Sequence, residues 1–410
     1  MTTRKLVIGT IGLLLLAGAA TGYFFYKKNL SGSGPAFRSP TKDITNLIPP
    51  SGAPTPAVNT TGMPLHLPDG FNISIYAKGL GSPRALGIDP HGRLIASIPS
   101  QGKIVGFDDV NGTANPMITI ATGLTKPHGF VFRCEQNNCK LFVAEVNSVK
   151  VFTYDIAKAT ATAPQKILDL PNGGNHTTRT LHIVNTTTGP RLLVAIGSSC
   201  NVCNEQDERR AAIWSSNLDG SDFRAYATGL RNSVFMAENP QTNALWATEM
   251  GRDLLGDNTP PDEVNIIAEG KNYGWPICYS KNIHDTDFDK NQYIRDPCTD
   301  KQAPHIEIPA HSAPLGLAFA SKDNWTPNTE SSLFVAFHGS WNRSVPTGYK
   351  IVQYELGADG SVKNTTDFLT GFLASDNKTA LGRPADILIQ NKTMYVSDDK
   401  AGVIYKITHQ

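Results

Sequence analysis

Short apolar segments separated by turn residues run through most of the chain. From about position 65 onward, apolar and polar residues alternate over a few positions at a time, and Gly, Pro, Asn and Asp interrupt each segment. This period of two is typical of half-buried strands, and almost no apolar spacing of the helical type accompanies it. The pattern therefore predicts an all-β domain.

One arrangement of segments recurs along the chain. It is clearest in "IYAKGLGSPRALGIDPHGRLIASIPSQGKIVGFD" and "TIATGLTKPHGFVFRCEQNNCKLFVAEVNSVKVFTYD". Weaker copies follow at "RTLHIVNTTTGPRLLVAIG", "YATGLRNSVFMAENPQTNALWATEMGRD", "IPAHSAPLGLAFASKDNW" and "ALGRPADILIQNKTMYVSDD". Six units at a spacing of roughly 40 to 55 residues are typical of four-stranded propeller blades.

The six units predict a six-bladed β-propeller over residues 65–410. A β-sandwich would not repeat the same turn chemistry six times, and a β-helix would have a much shorter period. The segment at about 271–305 interrupts the repeat, since it is too polar and irregular to form blade strands. We expect it to be an inserted loop that borders the central pocket.

The N-terminal region has a different pattern. Residues 6–26 form a stretch of 21 residues without a charge, flanked by Arg4, Lys5, Lys27 and Lys28, and ending in aromatic residues. Such a stretch can cross a hydrocarbon core about 30 Å thick, so residues 1–28 are predicted to be a membrane anchor or, alternatively, a cleaved signal peptide. Residues 29–64 are rich in Pro, Ser, Thr and Gly, which is typical of a flexible, disordered linker.

Charge and composition narrow the functional classes. The chain has 37 Lys and Arg residues against 36 Asp and Glu residues, a net charge of +1, which gives no basic excess for binding nucleic acid. Either interpretation of the N-terminus exports the remaining chain. We therefore expect an extracytoplasmic propeller, periplasmic or at the cell surface, tethered to the membrane if the anchor is retained.

The six cysteines fall into three close pairs: Cys134 with Cys139, Cys200 with Cys203, and Cys278 with Cys298. An even count with short spacings in an exported protein predicts three local disulfides. A zinc site and a redox-active dithiol are the alternatives for the C-x-x-C pair. Zinc would need a second matching ligand pair, and a dithiol would need an alternating strand and helix pattern, neither of which occurs in the sequence.

Polar residues next to the apolar strands are the candidates for chemistry, because propeller sites lie where the loops converge at one mouth of the central channel. Several of them are cationic, which suits an anionic, planar ligand with several carboxylates. No nucleophile elbow, Walker loop or Rossmann glycine pattern occurs in the sequence. The candidates are His176, Arg179, Arg231, Asn232, Glu249, Gly251, Arg252, Asp262, Glu263, His311, His338, Arg343 and Arg383.

These residues lie within a resemblance to a known family. The run "GLRNSVFMAENPQTNALWATEMGRDLLGDNTPPDEVNIIAEGKNYGWP" resembles the sugar dehydrogenases that depend on pyrroloquinoline quinone (PQQ). The motifs "HTTRTL", "GSSCNVCNE", "HSAPLGLAF" and "HGSWNR" are most similar to the sorbosone dehydrogenase branch. The resemblance covers about residues 67–406. It implies a six-bladed propeller that oxidises a sugar, polyol or aldehyde with PQQ and Ca²⁺ and passes the electrons to an external acceptor.

The resemblance also implies roles for individual residues. His176 would be the catalytic base that takes the substrate hydroxyl proton as hydride moves to the quinone, and Arg231 would stabilise the charge that develops. The main-chain carbonyls of Gly251 and Arg252 would hold Ca²⁺. The remaining residues implied to bind the cofactor are Asn232, His311, Arg343 and Arg383. His338 and His128 are the next candidate bases.

Two departures from the family pattern leave the substrate open. Asn175 replaces the acidic residue that precedes the catalytic histidine in glucose dehydrogenases. The family's cofactor-pairing lysine has no clear counterpart, and Arg343 or Lys350 would replace it. Two other functions therefore stay under consideration. One is a calcium-dependent propeller hydrolase of the lactonase kind, and the other is a non-catalytic propeller that binds glycans or proteins.

Overall fold

The chain folds as an all-β propeller preceded by two helices. The computed structural model describes residues 2–38, 58–110, 112–136, 138–326, 329 and 331–409. The helices are α1 (Thr2–Asn29) and α2 (Gly34–Phe37), and a short 3-10 helix covers Pro99–Gln101. Nearly all other regular structure is strand, as the alternating pattern predicts.

The described strands form six blade sheets around one axis and a separate two-stranded hairpin. The first two strands, β1 (Val58–Asn59) and β2 (Phe71–Ala77), belong to the last blade. Blade 1 contains β3 (Leu86–Ile88), β4 (Leu94–Ile98), β5 (Lys103–Val110) and β6 (Thr113–Ala121). Blade 2 contains β7 (Phe130–Glu135), β8 (Asn138–Ala144), β9 (Ser148–Asp155) and β10 (Thr160–Asp169). Blade 3 contains β11 (Arg179–Thr186), β12 (Gly189–Ile196), β13 (Ala212–Ser216) and β14 (Arg224–Thr228).

The inserted loop belongs to the fourth blade. Blade 4 contains β15 (Ser233–Glu238), β16 (Leu245–Glu249), β17 (Asp262–Ile267) and β20 (Ile306–Ile308), and the hairpin β18 (Cys278–Tyr279) and β19 (Ile283–His284) lies in the insertion. Blade 5 contains β21 (Pro314–Ala320), β22 (Ser332–Phe337), β23 (Lys350–Leu356) and β24 (Val362–Leu369). Blade 6 contains β25 (Pro384–Gln390), β26 (Thr393–Asp398) and β27 (Val403–His409).

Blade 6 joins the two ends of the propeller. β2 pairs antiparallel with the C-terminal strand β27, with Phe71 opposite His409, and β1 adds a short parallel strand outside β2. The ring is thus closed by hydrogen bonds between strands that are far apart in sequence. Blade 6 begins at Val58, earlier than the predicted boundary at 65, because β1 and the buried Met63 pack on its outer side.

The second strand of most blades reads as a continuous apolar run. Every residue of β4, β16 and β22 is buried, and so are the last six residues of β12. Each blade packs both faces against its neighbours, which removes the polar face that would otherwise produce alternation. The outermost strands differ, since the first six residues of β24 are exposed.

The N-terminal region was predicted to contain an anchor and a linker. Within the described residues we find no helix whose length and apolarity suffice for a membrane crossing, and the predicted anchor is not confirmed. The described part leaves out the side chains of residues 1–14. It also leaves out residues 39–57, and this second range makes up most of the predicted linker. The segment after α1 packs on the propeller: Asn29 and Pro35 are buried, and the Gly32 N–H donates to the Arg343 carbonyl at 2.7 Å.

Candidate active site

The innermost strands begin at one face of the propeller, and each is preceded by polar side chains. These strands are β3, β7, β11, β15, β21 and β25. Because all six run in the same direction along the axis, the residues before them form one ring, which we call the mouth. The polar residues of this ring are Arg84, His128, His176, Arg179, Arg231, Asn232, His311 and Arg383.

His176 lies in the mouth with one ring nitrogen engaged. Its Nδ1 lies 2.9 Å from both the main-chain carbonyl oxygen and the Oγ of Ser198. A carbonyl only accepts, so Nδ1 carries the proton and Nε2 keeps its lone pair. Burial, followed by the positive charge of Arg231, lowers the pKa of His176 to about 3. The imidazole is therefore neutral near pH 7, the state that a general base needs.

Arg231 is buried, and all its donors are used within the protein. Its Nε donates to the Asn201 carbonyl at 2.8 Å, and its Nη2 donates to Asn201 Oδ1 and to Asp253 Oδ2, both at 2.9 Å. Its Nη1 donates to the carbonyls of Met250 at 3.3 Å and Gly251 at 2.9 Å. A guanidinium has five N–H groups, so none is left over in this arrangement. Arg231 acts on its neighbours through its fixed charge.

Gly197 packs against both His176 and Asn232. The Asn232 N–H donates to Glu249 Oε1 at 2.6 Å, and its Nδ2 contacts the Met250 sulfur at 3.5 Å. Its Oδ1 is buried without a partner among the described residues. A Cβ at Gly197 would lie 2.4 Å from that Oδ1 and 2.7 Å from the His176 Cβ, so only glycine fits. The unpaired Oδ1 is the kind of buried polar atom that a ligand satisfies.

The predicted calcium ligands lie after β16. The Gly251 N–H donates to Asp262 Oδ1 at 2.9 Å, while the Gly251 carbonyl accepts from Arg231 at 2.9 Å. Arg252 directs its guanidinium away from Arg231, to Asp285 of the inserted loop at 2.5 Å. The loop thus contacts the segment that carries both predicted carbonyl ligands.

A second charged group lies across the axis from His176. Arg84 Nη1 is 2.6 Å from Asp399 Oδ2, and His338 Nε2 is 2.9 Å from Asp399 Oδ1. Burial alone would raise the pKa of Asp399, but His338 and Arg84 outweigh it and hold the pKa well below its usual range. Burial and then Arg383 lower the pKa of His338 to about 4. His338 is therefore a neutral partner of Asp399 near pH 7.

Arg383 completes this second group. Its Nε donates to the His338 carbonyl at 3.0 Å and its Nη2 to the Gly339 carbonyl at 2.6 Å, and the guanidinium lies 5.6 Å from the centre of the Tyr349 ring. No ion pair of Arg383 occurs among the described residues. It is thus a partly buried cation held by neutral groups, a position that suits a ligand carboxylate.

Two of the residues predicted to bind the cofactor, His311 and Arg343, hydrogen-bond the main chain of loops at the mouth. His311 Nε2 lies 2.8 Å from the Gly256 carbonyl, and its Nδ1 lies 4.0 Å from Asp253 Oδ1. Arg343 donates to the main-chain carbonyls of Asp257 and Ala310. In this arrangement both side chains hold the loop at 253–258, and direct cofactor contact by either stays a prediction.

Arg84, Asp399, Asn201 and Asp253 were missed in the sequence. Arg84 had a usable signal: it precedes β3 in "SPRALG" as Arg383 precedes β25 in "GRPADI", so comparing the repeats would have found it. The other three lie in loops between the second and third strands of their blades, and these loops differ too much in length and sequence for the repeat to align them.

The three predicted disulfides are confirmed. They join Cys134 to Cys139, Cys200 to Cys203, and Cys278 to Cys298. Within the described residues, only Cys200, Cys203 and Glu205 gather as a potential metal-binding group, and both sulfurs there are in a disulfide. The question raised by the C-x-x-C spacing is thus resolved in favour of a structural crosslink.

Comparison with known proteins shows the family to which the chain belongs. A family profile described as TrAA12-like matches residues 65–410. An uncharacterized protein of Borreliella burgdorferi is 32% identical over 362 residues, which cover 84% of this chain and 91% of that protein. The pyrroloquinoline quinone-dependent pyranose dehydrogenase of Coprinopsis cinerea is 25% identical over 417 residues, which cover 87% of this chain but 55% of that longer protein.

Solved structures share the fold. The PQQ domain of the Coprinopsis cinerea pyranose dehydrogenase, in its holo form, aligns with a TM-score of 0.72 and 23% identity, covering 86% of this chain and all of that domain. The calcium structure of the Trichoderma reesei family AA12 enzyme aligns with a TM-score of 0.71 and 21% identity, covering 84% of this chain and 97% of that one. The chain belongs to the TrAA12-like family of six-bladed propellers, within the PQQ-dependent sugar dehydrogenases.

Proposed function

We propose that this protein oxidises a sugar, or a related polyol or aldehyde, with PQQ as the hydride acceptor and His176 as the general base. The observation that carries the proposal is the neutral imidazole of His176, whose Nδ1 is fixed by Ser198 while its Nε2 stays available beside a buried arginine. A positioned base with an open lone pair and a fixed neighbouring charge is the arrangement that proton abstraction needs.

The charges of the mouth suit the cofactor. PQQ is planar and carries several carboxylates, and the mouth places Arg383 and Arg84 on one side of the axis and Arg231 on the other. Arg383 offers the clearest carboxylate contact, since its present partners are two carbonyls and an aromatic ring. Asn232 Oδ1 adds a buried polar atom that has no partner among the described residues. These residues fit an anionic polar ring better than an apolar ligand.

The oxygen atoms around Gly251 suit calcium. The carbonyl oxygen of Gly251 has two lone pairs, of which one accepts from Arg231. The Asp253 carboxylate and the Asn201 amide oxygen accept hydrogen bonds from the same guanidinium. Hard oxygen ligands of this kind are the ones that Ca²⁺ prefers. We assign Gly251 and Arg252 as the carbonyl ligands. The cation, when bound, would polarise a carbonyl oxygen of the cofactor.

The residues of this chain would then divide the work as follows. His176 Nε2 accepts the proton of the substrate hydroxyl, while the Ser198 carbonyl holds the ring in the required tautomer. Burial, and next the charge of Arg231, lower the pKa of His176 and keep it neutral before the reaction. PQQ supplies the hydride acceptor when bound, and hydride chemistry is otherwise absent from protein side chains. After the reaction, His176 releases the proton to solvent.

Substrate selection falls to the exposed rim of the mouth. Asn175 is exposed beside His176, and its N–H donates to the Ser199 carbonyl at 2.8 Å, which fixes its backbone. An amide both donates and accepts, so it can hydrogen-bond a sugar hydroxyl in either direction. We infer that Asn175 contacts the substrate and that a carboxylate is not required there.

We also propose that the propeller is extracytoplasmic. Three disulfides and no free cysteine among the described residues support an oxidising compartment. The uncharged stretch at 6–26, followed by Lys27 and Lys28, supports a membrane tether with the basic side toward the lipid headgroups.

Reconstitution tests the function. The full chain is purified, incubated with PQQ and Ca²⁺, with either one alone, or with neither, and assayed by dye reduction across aldoses, pyranoses, sorbosone and polyols. We expect dye reduction only when the quinone is present, with a further increase from calcium. Lactone hydrolysis without any quinone would instead identify a propeller hydrolase. Absence of both PQQ binding and dye reduction would overturn the proposal.

A further inference from the structure

The disulfide-closed turn Cys200–Cys203, together with Ser198 just before it, contacts both residues of the proposed reaction centre. It follows β12, whose end leads through Gly197 and Ser198 into the mouth. Asn201 lies within the turn. Its contacts reach two other segments of the mouth, the one before β15 and the one after β16.

Asn201 makes four hydrogen bonds to these segments. Its carbonyl accepts from Arg231 Nε at 2.8 Å and its Oδ1 from Arg231 Nη2 at 2.9 Å. The same Oδ1 accepts from the Asp253 N–H at 2.7 Å, and the Asn201 Nδ2 donates to the Asp253 carbonyl at 3.1 Å. Asn201 thus accepts from two of the five N–H groups of Arg231. It also hydrogen-bonds the main chain of Asp253, whose carboxylate accepts from a third.

The residues that lead into this turn hold His176. Ser198 contacts His176 Nδ1 through its carbonyl and its Oγ, and that Oγ donates to the Cys200 carbonyl at 2.7 Å. Ser199 is fixed in turn by Glu205, which accepts from the Ser199 N–H at 2.6 Å and from its Oγ at 2.7 Å. Four consecutive residues, 198–201, therefore connect His176 to Arg231.

We propose that the crosslinked turn Cys200–Cys203 is a positioning element of the active site, in which Asn201 fixes the guanidinium of Arg231 relative to His176. The inference rests on the proposed function only for its catalytic consequence. The physical claim, that Asn201 and the disulfide fix the place of a charge, concerns the protein without any cofactor.

Loss of the Asn201 side chain would release part of Arg231. The guanidinium would keep Gly251, Asp253 and the main-chain carbonyl of residue 201 as partners but lose its contact to Oδ1. His176 is also faced by Arg179 and Arg210, whose contacts do not involve the turn, so their effect on its pKa would persist. A less firmly placed Arg231 lowers the pKa of His176 less, and the imidazole then takes up its proton at a higher pH.

The variants separate the side chain from the crosslink. Asn201→Ala removes the side-chain contacts, and Asn201→Asp keeps both acceptor roles of Oδ1. The double variant Cys200→Ser/Cys203→Ser opens the turn without changing Asn201. Its matched control is Cys134→Ser/Cys139→Ser, which opens another short-range disulfide at the far end of the β7–β8 hairpin from the mouth. Thermal unfolding of each variant shows that it is folded.

The first measurement uses the protein without cofactor. The titration of His176 is followed by NMR, with His176→Ala used to assign the signal. We expect Asn201→Ala and the Cys200/Cys203 double variant to move the titration upward by about half a pH unit or more, and the Cys134/Cys139 control to leave it in place. If both variants titrate like the wild type, or if the control moves equally, the proposal is wrong. A chain inactive with PQQ would still give this answer.

The second measurement uses the enzyme loaded with PQQ and Ca²⁺. Because misplacement by about 1 Å can cost about a hundredfold in rate, we expect kcat to fall at least tenfold in Asn201→Ala and in the Cys200/Cys203 variant, with KM changed less than threefold. Asn201→Asp should recover most of that loss. A loss confined to KM, or no recovery in Asn201→Asp, would count against positioning and for a contact with substrate or a general loss of folding.

Discussion

The most direct test of the proposed chemistry is the removal of His176. In His176→Ala the Nε2 lone pair is lost, while Arg231, Arg383 and Asn232 keep the contacts that hold them. A positioned general base contributes about 10²- to 10⁴-fold to the rate, or about 3 to 5 kcal/mol of barrier. We expect kcat to fall by at least about 10²-fold and the affinity for PQQ to stay within a few-fold.

The pH profile tests the same residue in the wild type. An unperturbed histidine would lose half its base form at about pH 6.5, whereas burial and Arg231 lower the pKa of His176 to about 3. Such a base is present above its folded pKa and is lost only as the pH falls through about 3. We therefore expect kcat/KM to show no decline from this group between pH 8 and about 5.

Two control variants sharpen the measurement. His176→Asn can keep a donor toward Ser198 but has no base, so it should be as inactive as His176→Ala. His91→Ala removes an exposed histidine and should behave as the wild type. Full activity in His176→Ala with bound PQQ would refute the assignment and direct attention to His338 or His128. A half-maximal kcat/KM at about pH 6.5 that disappears in His176→Asn would refute the assigned burial of the base.

Three further predictions concern the rest of the chain. Arg383→Ala should raise the Kd for PQQ at least about tenfold, because a charge-assisted contact to a carboxylate is lost, and should change kcat at saturating cofactor much less. Fluorescence titration with the quinone measures the Kd, and an unchanged value would exclude the contact. Cys278→Ser/Cys298→Ser, which opens a loop closed over a sequence separation of 20, should lower the free energy of unfolding by roughly 3 kcal/mol in denaturant titrations; an equal midpoint would show that the loop is ordered by its other contacts. The full chain should pellet with membranes and resist carbonate extraction if residues 6–26 anchor it, and its recovery in the soluble fraction, starting near Ala20, would show cleavage.

The propeller architecture could be predicted because local sequence features specify the strands and turns of each blade. Most blades carry their own turn residues and a buried second strand, so "DPHG" before β4 and the run "RLLVAIG" at the end of β12 indicate strands without reference to the rest of the chain. The closure of the ring was not predictable in this way. The pairing of β2 with β27 joins segments more than three hundred residues apart, and the apolar pattern of either strand would equally suit another partner.

The site shows the same division at the level of single side chains. The ring position of Arg231 follows from the repeat, because it precedes an innermost strand as Arg383 does. The hydrogen-bond partners of Arg231 do not follow from the repeat, because Asn201 and Asp253 lie in loops of two different blades and come together only in the folded chain. The sequence therefore indicates an arginine that could donate to a developing negative charge, whereas the structure places all five donors on protein oxygens.

That difference changes the role of the arginine. A guanidinium already held by five acceptors does not need to reorganise as charge develops nearby, and a fixed charge in a buried site acts more strongly than one in water. If the proposed function holds, the groups that hold it belong to the catalytic arrangement even where they touch no substrate. This is why a turn closed by a disulfide, whose spacing in the sequence indicates only a crosslink, would act together with Ser198 before it to keep the proposed base and the cation of the mouth in register.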